Sequence, residues 1–218
     1  MIKRFEKITG RFIECIYGQQ RLAFARSRDV DFEDLQYWAE RGGYPGDVLT
    51  FHDITNGKVY RPFEVEREVA YGDPAYADGA YYFLRADYGA KKITLYRFVP
   101  EEELEAVTEF DYDEVLPANL RIVGDPVHVF SQNDERFECY YPNRFSFELE
   151  PHQSVALIDG DRIYLEEWVE EGWDSENDRA TEDYKYYHKV IVKDPAGQVL
   201  SEEVGFIYPA PDGSFWIA

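Results

Sequence analysis

The chain has 218 residues, 44% hydrophobic and 17% aromatic, with 23 basic against 44 acidic side chains for a formal charge of −21. That length suits one large all-β domain and the apolar fraction excludes wholesale disorder, while the acidity opposes phosphate backbones and anionic lipid, so neither nucleic acid nor membrane is expected as a partner. The N-terminus has no uninterrupted apolar h-region and no run of 18 apolar residues exists, so a cytoplasmic location is expected.

Taken in chain order, Ile2 to Ile8 reads as a strand, and Phe12 to Phe24 as a hairpin about Gly18. Asp47 to His52 then turns through Asn56-Gly57 into Lys58 to Val65, and Asn-Gly is the strongest two-residue hairpin signal because both positions accept positive φ. Four further glycine hairpins follow: Ala75 to Phe83, Leu120 to Phe130, Val155 to Tyr164 and Phe206 to Trp216. Between them lie second strand pairs: Lys91 to Val99 with Ala106 to Phe110, Phe137 to Tyr141 with Arg144 to Glu150, and Tyr184 to Val192 with Gln198 to Val204. The turn glycines Gly18, Gly79, Gly124, Gly160 and Gly213 stand 61, 45, 36 and 53 residues apart.

Each unit therefore reads as strand A, glycine turn, strand B, loop, strand C, turn, strand D. A recurrence of roughly 40–50 residues resembles the blades of β-propellers generally. The expectation is a single-domain (residues 1–218), all-β, five-bladed propeller of four-stranded antiparallel blades. The fifth unit stops after strand B, so Ile2 to Ile8 is expected to supply its outermost strand and close the ring, although no C strand remains to give an antiparallel entry. A lipocalin-like or other antiparallel barrel is the alternative.

Alternating strand direction sends the B–C and D–A connections to one face and the A–B and C–D turns to the other. Two B–C connections are long, Arg28 to Gly46 and Val169 to Asp183. The first contains Phe32, Leu35 and Trp38 at helical spacing behind Asp29 or Asp31 as a cap, so a short helix is expected there. Trp38, Trp168 and Trp173 lie in or beside the two loops among many carboxylates. Indole faces with neighbouring acids can stack a sugar or hold an organic cation. Asp31, Asp34, Trp38, Trp168, Trp173 and Asp174 are accordingly the candidate ligand-binding residues, and a small molecule, a carbohydrate or a protein the candidate partner.

The stretch Asp174 to Lys185 has acids at alternating positions but places Arg179 and Lys185 where a calcium loop needs Gly and Glu. His52, His128, His152 and His188 have no ligand spacing, and no phosphate-cradling or hydrolase-elbow motif occurs, so no metal or cofactor is expected. Cys15 and Cys139 read as two buried free thiols.

One stretch points to catalysis. Gly72-Asp73-Pro74 followed by Asp78-Gly79 and Tyr81-Tyr82 resembles the first inner strand of five-bladed furanosidase glycoside hydrolases. The resemblance covers about twenty residues and implies Asp73 as general base and Glu203 as general acid, a pair of the kind glycoside cleavage requires. The third unit opens with Asn119-Leu120-Arg121, where that family has a third acid. A non-catalytic binding or scaffold module is the leading expectation, with a glycoside hydrolase or a protein-interaction propeller as alternatives.

Overall fold

The computed structural model describes residues 2–124 and 126–218; Met1 and Asp125, which belongs to the third glycine hairpin, lie outside them. The chain is all-β, and its strands fall into five successive antiparallel sheets. Sheet I runs β1 (Glu14–Cys15), β2 (Leu22–Arg26), β3 (Leu49–Asp53), β4 (Val59–Tyr60). In sheet II the first strand is broken at Gly72 to Pro74 into β5 (Val69–Tyr71) and β6 (Ala75–Ala77). Both pieces pair with β7 (Ala80–Asp87), followed by β8 (Lys92–Val99) and β9 (Glu103–Asp111). Sheet III is β10 (Arg121–Val123), β11 (His128–Gln132), β12 (Arg136–Tyr141), β13 (Phe145–Glu148). Sheet IV is β14 (Gln153–Asp159), β15 (Arg162–Asp174), β16 (Arg179–Lys193), β17 (Val199–Val204). Sheet V has two strands, β18 (Ile207–Pro209) and β19 (Phe215–Ile217). Among the described residues no strand of one sheet pairs with a strand of another, which departs from the continuous pairing of a barrel.

The five turn glycines all have positive φ, the conformation a tight hairpin demands and a side chain resists. Two of them also touch. A Cβ on Gly213 would lie 2.7 Å from the Gly18 Cα, so the first strands of sheets V and I meet backbone to backbone. Gly124 of sheet III is as crowded, with a Cβ there falling 2.5 Å from the Ile158 carbonyl oxygen of sheet IV.

Between sheets, apolar side chains interlock in three clusters. Phe24, Leu49 and Phe51 of sheet I join Tyr71, Tyr81, Phe83 and Phe98 of sheet II, with the Phe51 and Phe98 ring centroids 5.1 Å apart. Leu84, Ile93 and Leu95 of sheet II join Val129 and Tyr140 of sheet III, and Phe130 and Phe137 of sheet III join Ile158, Ile163 and Leu165 of sheet IV. Burial of one Phe or Leu of this kind stabilises by about 1.5–3 kcal/mol. Sheet V adds no comparable cluster: Tyr208, Phe215, Trp216 and Ile217 are all exposed. It is tied to sheet IV by the Ile207 N–H, which donates to Glu166 Oε1 at 2.6 Å.

Three expectations need correction. Ile2 to Ile8 is not a strand of sheet V; the Glu6 N–H donates to the Gly57 carbonyl, Glu6 Oε1 accepts from Val59, and Phe5 packs edge-on to His52 at 5.0 Å. The segment therefore lies along the β3–β4 turn of sheet I, because the alternation of directions leaves it no antiparallel partner in sheet V. Val169 to Asp183 is not a loop but the continuation of β15 and β16 as a ribbon. Cys139 is a buried free thiol as expected, whereas Cys15 is free and exposed, since β1 is a two-residue edge strand. No helix of the described residues is long and apolar enough to cross a membrane.

Gly213 and Gly79 have similar strained φ, +92° and +76°, but nothing lies within 4 Å of a Cβ built on Gly79. Gly79→Ala should cost about 1–2 kcal/mol from backbone strain alone. Gly213→Ala should cost at least about 1 kcal/mol more, from overpacking against Gly18, as read by urea denaturation of the two variants.

His52 and His128 are buried, and desolvation lowers both pKa values below the usual 6.5. Below about pH 6.5 the unfolded chain then binds more protons than the folded one. Stability from these imidazoles should be complete above that pH and fall away as pH drops through the folded-state values. Urea midpoints at pH 7.5 and 5.0 should separate, and the His52→Gln/His128→Gln double variant should narrow the gap.

Candidate functional site

The long B–C connection of sheet I is pinned at its neck by one carboxylate. Asp47, almost wholly buried, accepts from Ser27 N–H (2.8 Å), Ser27 Oγ (2.6 Å), Arg28 N–H (3.1 Å) and Val48 N–H (2.6 Å) through a single oxygen, Oδ1. Its apolar face is held by Phe32 and Leu35, buried against sheets II and III, and the Tyr112 hydroxyl donates to the Phe32 carbonyl. The expected helix is there as α1 (Asp34–Ala39), but neither Asp29 nor Asp31 caps it through a side chain; Glu33 stands at the N-cap with no side-chain cap bond. Asp29 is taken by Arg26 at 3.0 Å, and Asp31 contributes only its carbonyl, to the Asp34 N–H.

Anchored in this way, the connection walls a recess of about 360 Å3. Arg26 and Val30 to Glu33 supply one side, Tyr71 to Pro74 the break between β5 and β6, and Pro117 with Asn119 to Ile122 the approach to β10. Three sheets thus converge on one opening, through the B–C connection of sheet I, the break in the first strand of sheet II and the D–A connection into sheet III. The second long connection, expected on the same face, is the β15–β16 ribbon and supplies no residue to this recess. A second recess, also about 360 Å3, is walled by the first strands and glycine turns of sheets I, II, III and V. Pro74 and Ile122 line both, so the two cavities adjoin.

Arg26 organises the rim. Its guanidinium donates to the Tyr71 carbonyl at 3.1 Å and lies 3.2 Å from Asp73 Oδ1. Tyr71 has its hydroxyl in the protein interior, where burial pushes its pKa up to about 12 and keeps it neutral. Arg121 differs. Its Nη2 donates to the Val155 carbonyl of sheet IV at 2.6 Å, its guanidinium carbon is 4.9 Å from the Phe130 ring centroid, and no carboxylate among the described residues lies within 4.0 Å. Protein crowds it on several sides and desolvation lowers its pKa, while the recess leaves it open to water.

The residues anticipated from the sequence do not gather. Asp31 lines the recess, and Asp34 and Trp38 stand on α1, where Trp38 packs against the buried Tyr44 at 5.8 Å. Trp168 and Trp173 sit half-exposed on the β15 ribbon, edge-on to His152 (5.8 Å) and Tyr184 (5.9 Å). The acids around them are engaged locally: Glu170 with the Tyr184 hydroxyl, Glu171 with Tyr187 and Lys185, and Asp174 with the Glu176 and Asn177 amides of its own turn. Hydrogen bonds from Asn177 hold the Asp174 carboxyl below its usual pKa. Asp73 lines the recess, while Glu203 lies opposite Val190 on β17, the last strand of sheet IV, and contributes nothing to that wall. Arg26, Tyr71 and Arg121 escaped the sequence reading, because a basic or aromatic residue on a strand acquires meaning only when the sheets converge.

Comparison with known proteins adds no identity: no family model, no curated protein and no solved structure matches the chain.

Replacing Arg26 by Met leaves the Tyr71 carbonyl without its donor, at a cost of about 1–2 kcal/mol. Loss of the ion pairs to the well-exposed Asp29 and Asp73 should add little. Equilibrium urea denaturation of Arg26→Met against wild type measures this, and an unchanged midpoint would contradict the rim role.

Proposed function

We propose that the five sheets are the blades of one degenerate five-bladed propeller, and that the chain is a non-catalytic module binding a small molecule in the recess on its B–C and D–A face. Support for the propeller is the meander order repeated in every sheet, the contact between the Gly18 and Gly213 turns, and the four sheets that share the second recess. The fifth blade would be short, with its β19 edge uncovered. Two unbridged thiols, one of them exposed, suit a reducing cytoplasmic setting.

The observation that carries the binding reading is the pinned connection above a concave site lined by both charged and apolar side chains. Asp47 fixes the neck, Phe32 and Leu35 fix the floor, and Arg26 braces the rim. A rigid scaffold that presents a loop-walled cavity is the usual form of a small-ligand site. The glycosidase alternative retains only Asp73 in that cavity, ion-paired to Arg26. Carbohydrate stays within the ligand classes considered, through the recess or through the ribbon indoles of Trp168 and Trp173.

A library of neutral sugars, amino acids and other small metabolites, screened by ligand-observed NMR, tests the proposal. Val30→Trp, which fills the recess, should weaken any ligand at least tenfold, while Trp173→Ala leaves its affinity within about twofold. The opposite pattern would move the ligand to the ribbon, and turnover of nitrophenyl furanosides would replace binding by catalysis.

A further inference from the structure

Among the described residues, the recess combines Arg121, which has no carboxylate within 4.0 Å, with Asp31 and Glu33, which form no ion pair. Arg121 has five N–H donors and one is committed, to Val155. Arg121 is exposed on the recess wall, so water meets its remaining donors, and an anion entering the recess can displace that water for charge-assisted hydrogen bonds. Its planar fork matches a carboxylate in bidentate geometry. Asp31 and Glu33, supplied to the same recess by the sheet I connection, form no ion pair within 4.0 Å among the described residues, and Asp73 is already answered by Arg26. Between these polar ends the walls are apolar, with Phe32, Pro74, Leu84, Pro117 and Leu120.

We infer that the recess takes a small zwitterion, an α-amino acid with an apolar side chain, its carboxylate on Arg121 and its ammonium toward Asp31 and Glu33. This rests on the binding reading above and narrows it to one ligand class. A phosphate is disfavoured, because its second negative charge would face three recess carboxylates on a chain already at −21. A volume of about 360 Å3 falls at the small end of ligand pockets and suits a molecule of this size.

Isothermal titration calorimetry at low salt with each of the twenty amino acids is the first experiment. For the best binder, its amide and its des-amino acid should each bind at least tenfold more weakly, and inorganic phosphate should not compete. These comparisons need no variant, so they hold even if substitution at Arg121 disturbs the contact with Val155. Arg121→Gln should weaken the amino acid at least tenfold, Arg121→Lys should restore part of the loss, and Asp31→Asn with Glu33→Gln should weaken it while sparing the des-amino acid. An amide binding as tightly as the parent acid, or Arg121→Gln within twofold of wild type, overturns the assignment. A neutral sugar held in the recess and indifferent to Arg121→Gln would also overturn it, yet leave the binding module standing. No ligand of any class would remove both.

Discussion

The structure depends on backbone meeting backbone between sheets at glycine turns. At Gly18 and Gly213 two turns approach so closely that a single methyl group cannot be placed between them, and at Gly124 the turn lies against the Ile158 carbonyl. Such contacts are open only to glycine, which also supplies the positive φ each turn needs. Beside these contacts, the faces of sheets I to IV pack one on the next through three apolar clusters. The recess lies where three of these sheets come together. It exists because a B–C connection of sheet I and the approaches to β5–β6 and β10 arrive at the same opening.

The interlocking of faces is uneven. Large aromatic and aliphatic clusters bind sheets I to II, II to III and III to IV, whereas sheet V is held by backbone contact at Gly213, the Glu166–Ile207 hydrogen bond and the burial of a single side chain, Ile207. Stability should accordingly be distributed along the chain, highest across sheets I to IV and lowest at the C-terminal pair. The outer strands of the complete sheets carry charge that discourages edge pairing, as with Glu103, Glu105 and Glu109 on β9 and Glu202 and Glu203 on β17. β19 carries none, and its only protection is brevity.

Much of this was legible in the residues, for identifiable reasons. A glycine between two short apolar runs is a local signal, so all five hairpins could be placed without any tertiary information. The ribbon of β15 and β16 was hidden because it has no core to write an apolar stripe. It is held by cross-strand pairs such as Tyr184 with Glu170 and Tyr187 with Glu171, and a bulge near Gly172 breaks its alternation. Ile2 and Ile8 misled in the opposite way. Their hydrophobicity reads as a strand, yet both are exposed, and polar contacts of Glu6 decide where the segment lies. Asp31 could be picked out as a recess residue because the long connection announces itself by length. Arg121 could not, since its importance arises from Val155 and Phe130, which lie in other strands.

Net charge turns the recess from a cavity into a filter. A surface at −21 repels anions at long range, and at physiological salt that repulsion fades over roughly 8 Å. Inside the recess the nearest groups therefore dominate: Arg121, Asp31 and Glu33, none of which has an ion-pair partner among the described residues. A ligand of zero net charge crosses the outer field without penalty and still satisfies both ends by short-range contact. A monoanion gains at Arg121 but meets Asp31 and Glu33 unanswered; a monocation has the reverse difficulty. On the amino-acid reading proposed above, this acidic surface favours a small molecule whose charges cancel at a distance and separate at close range.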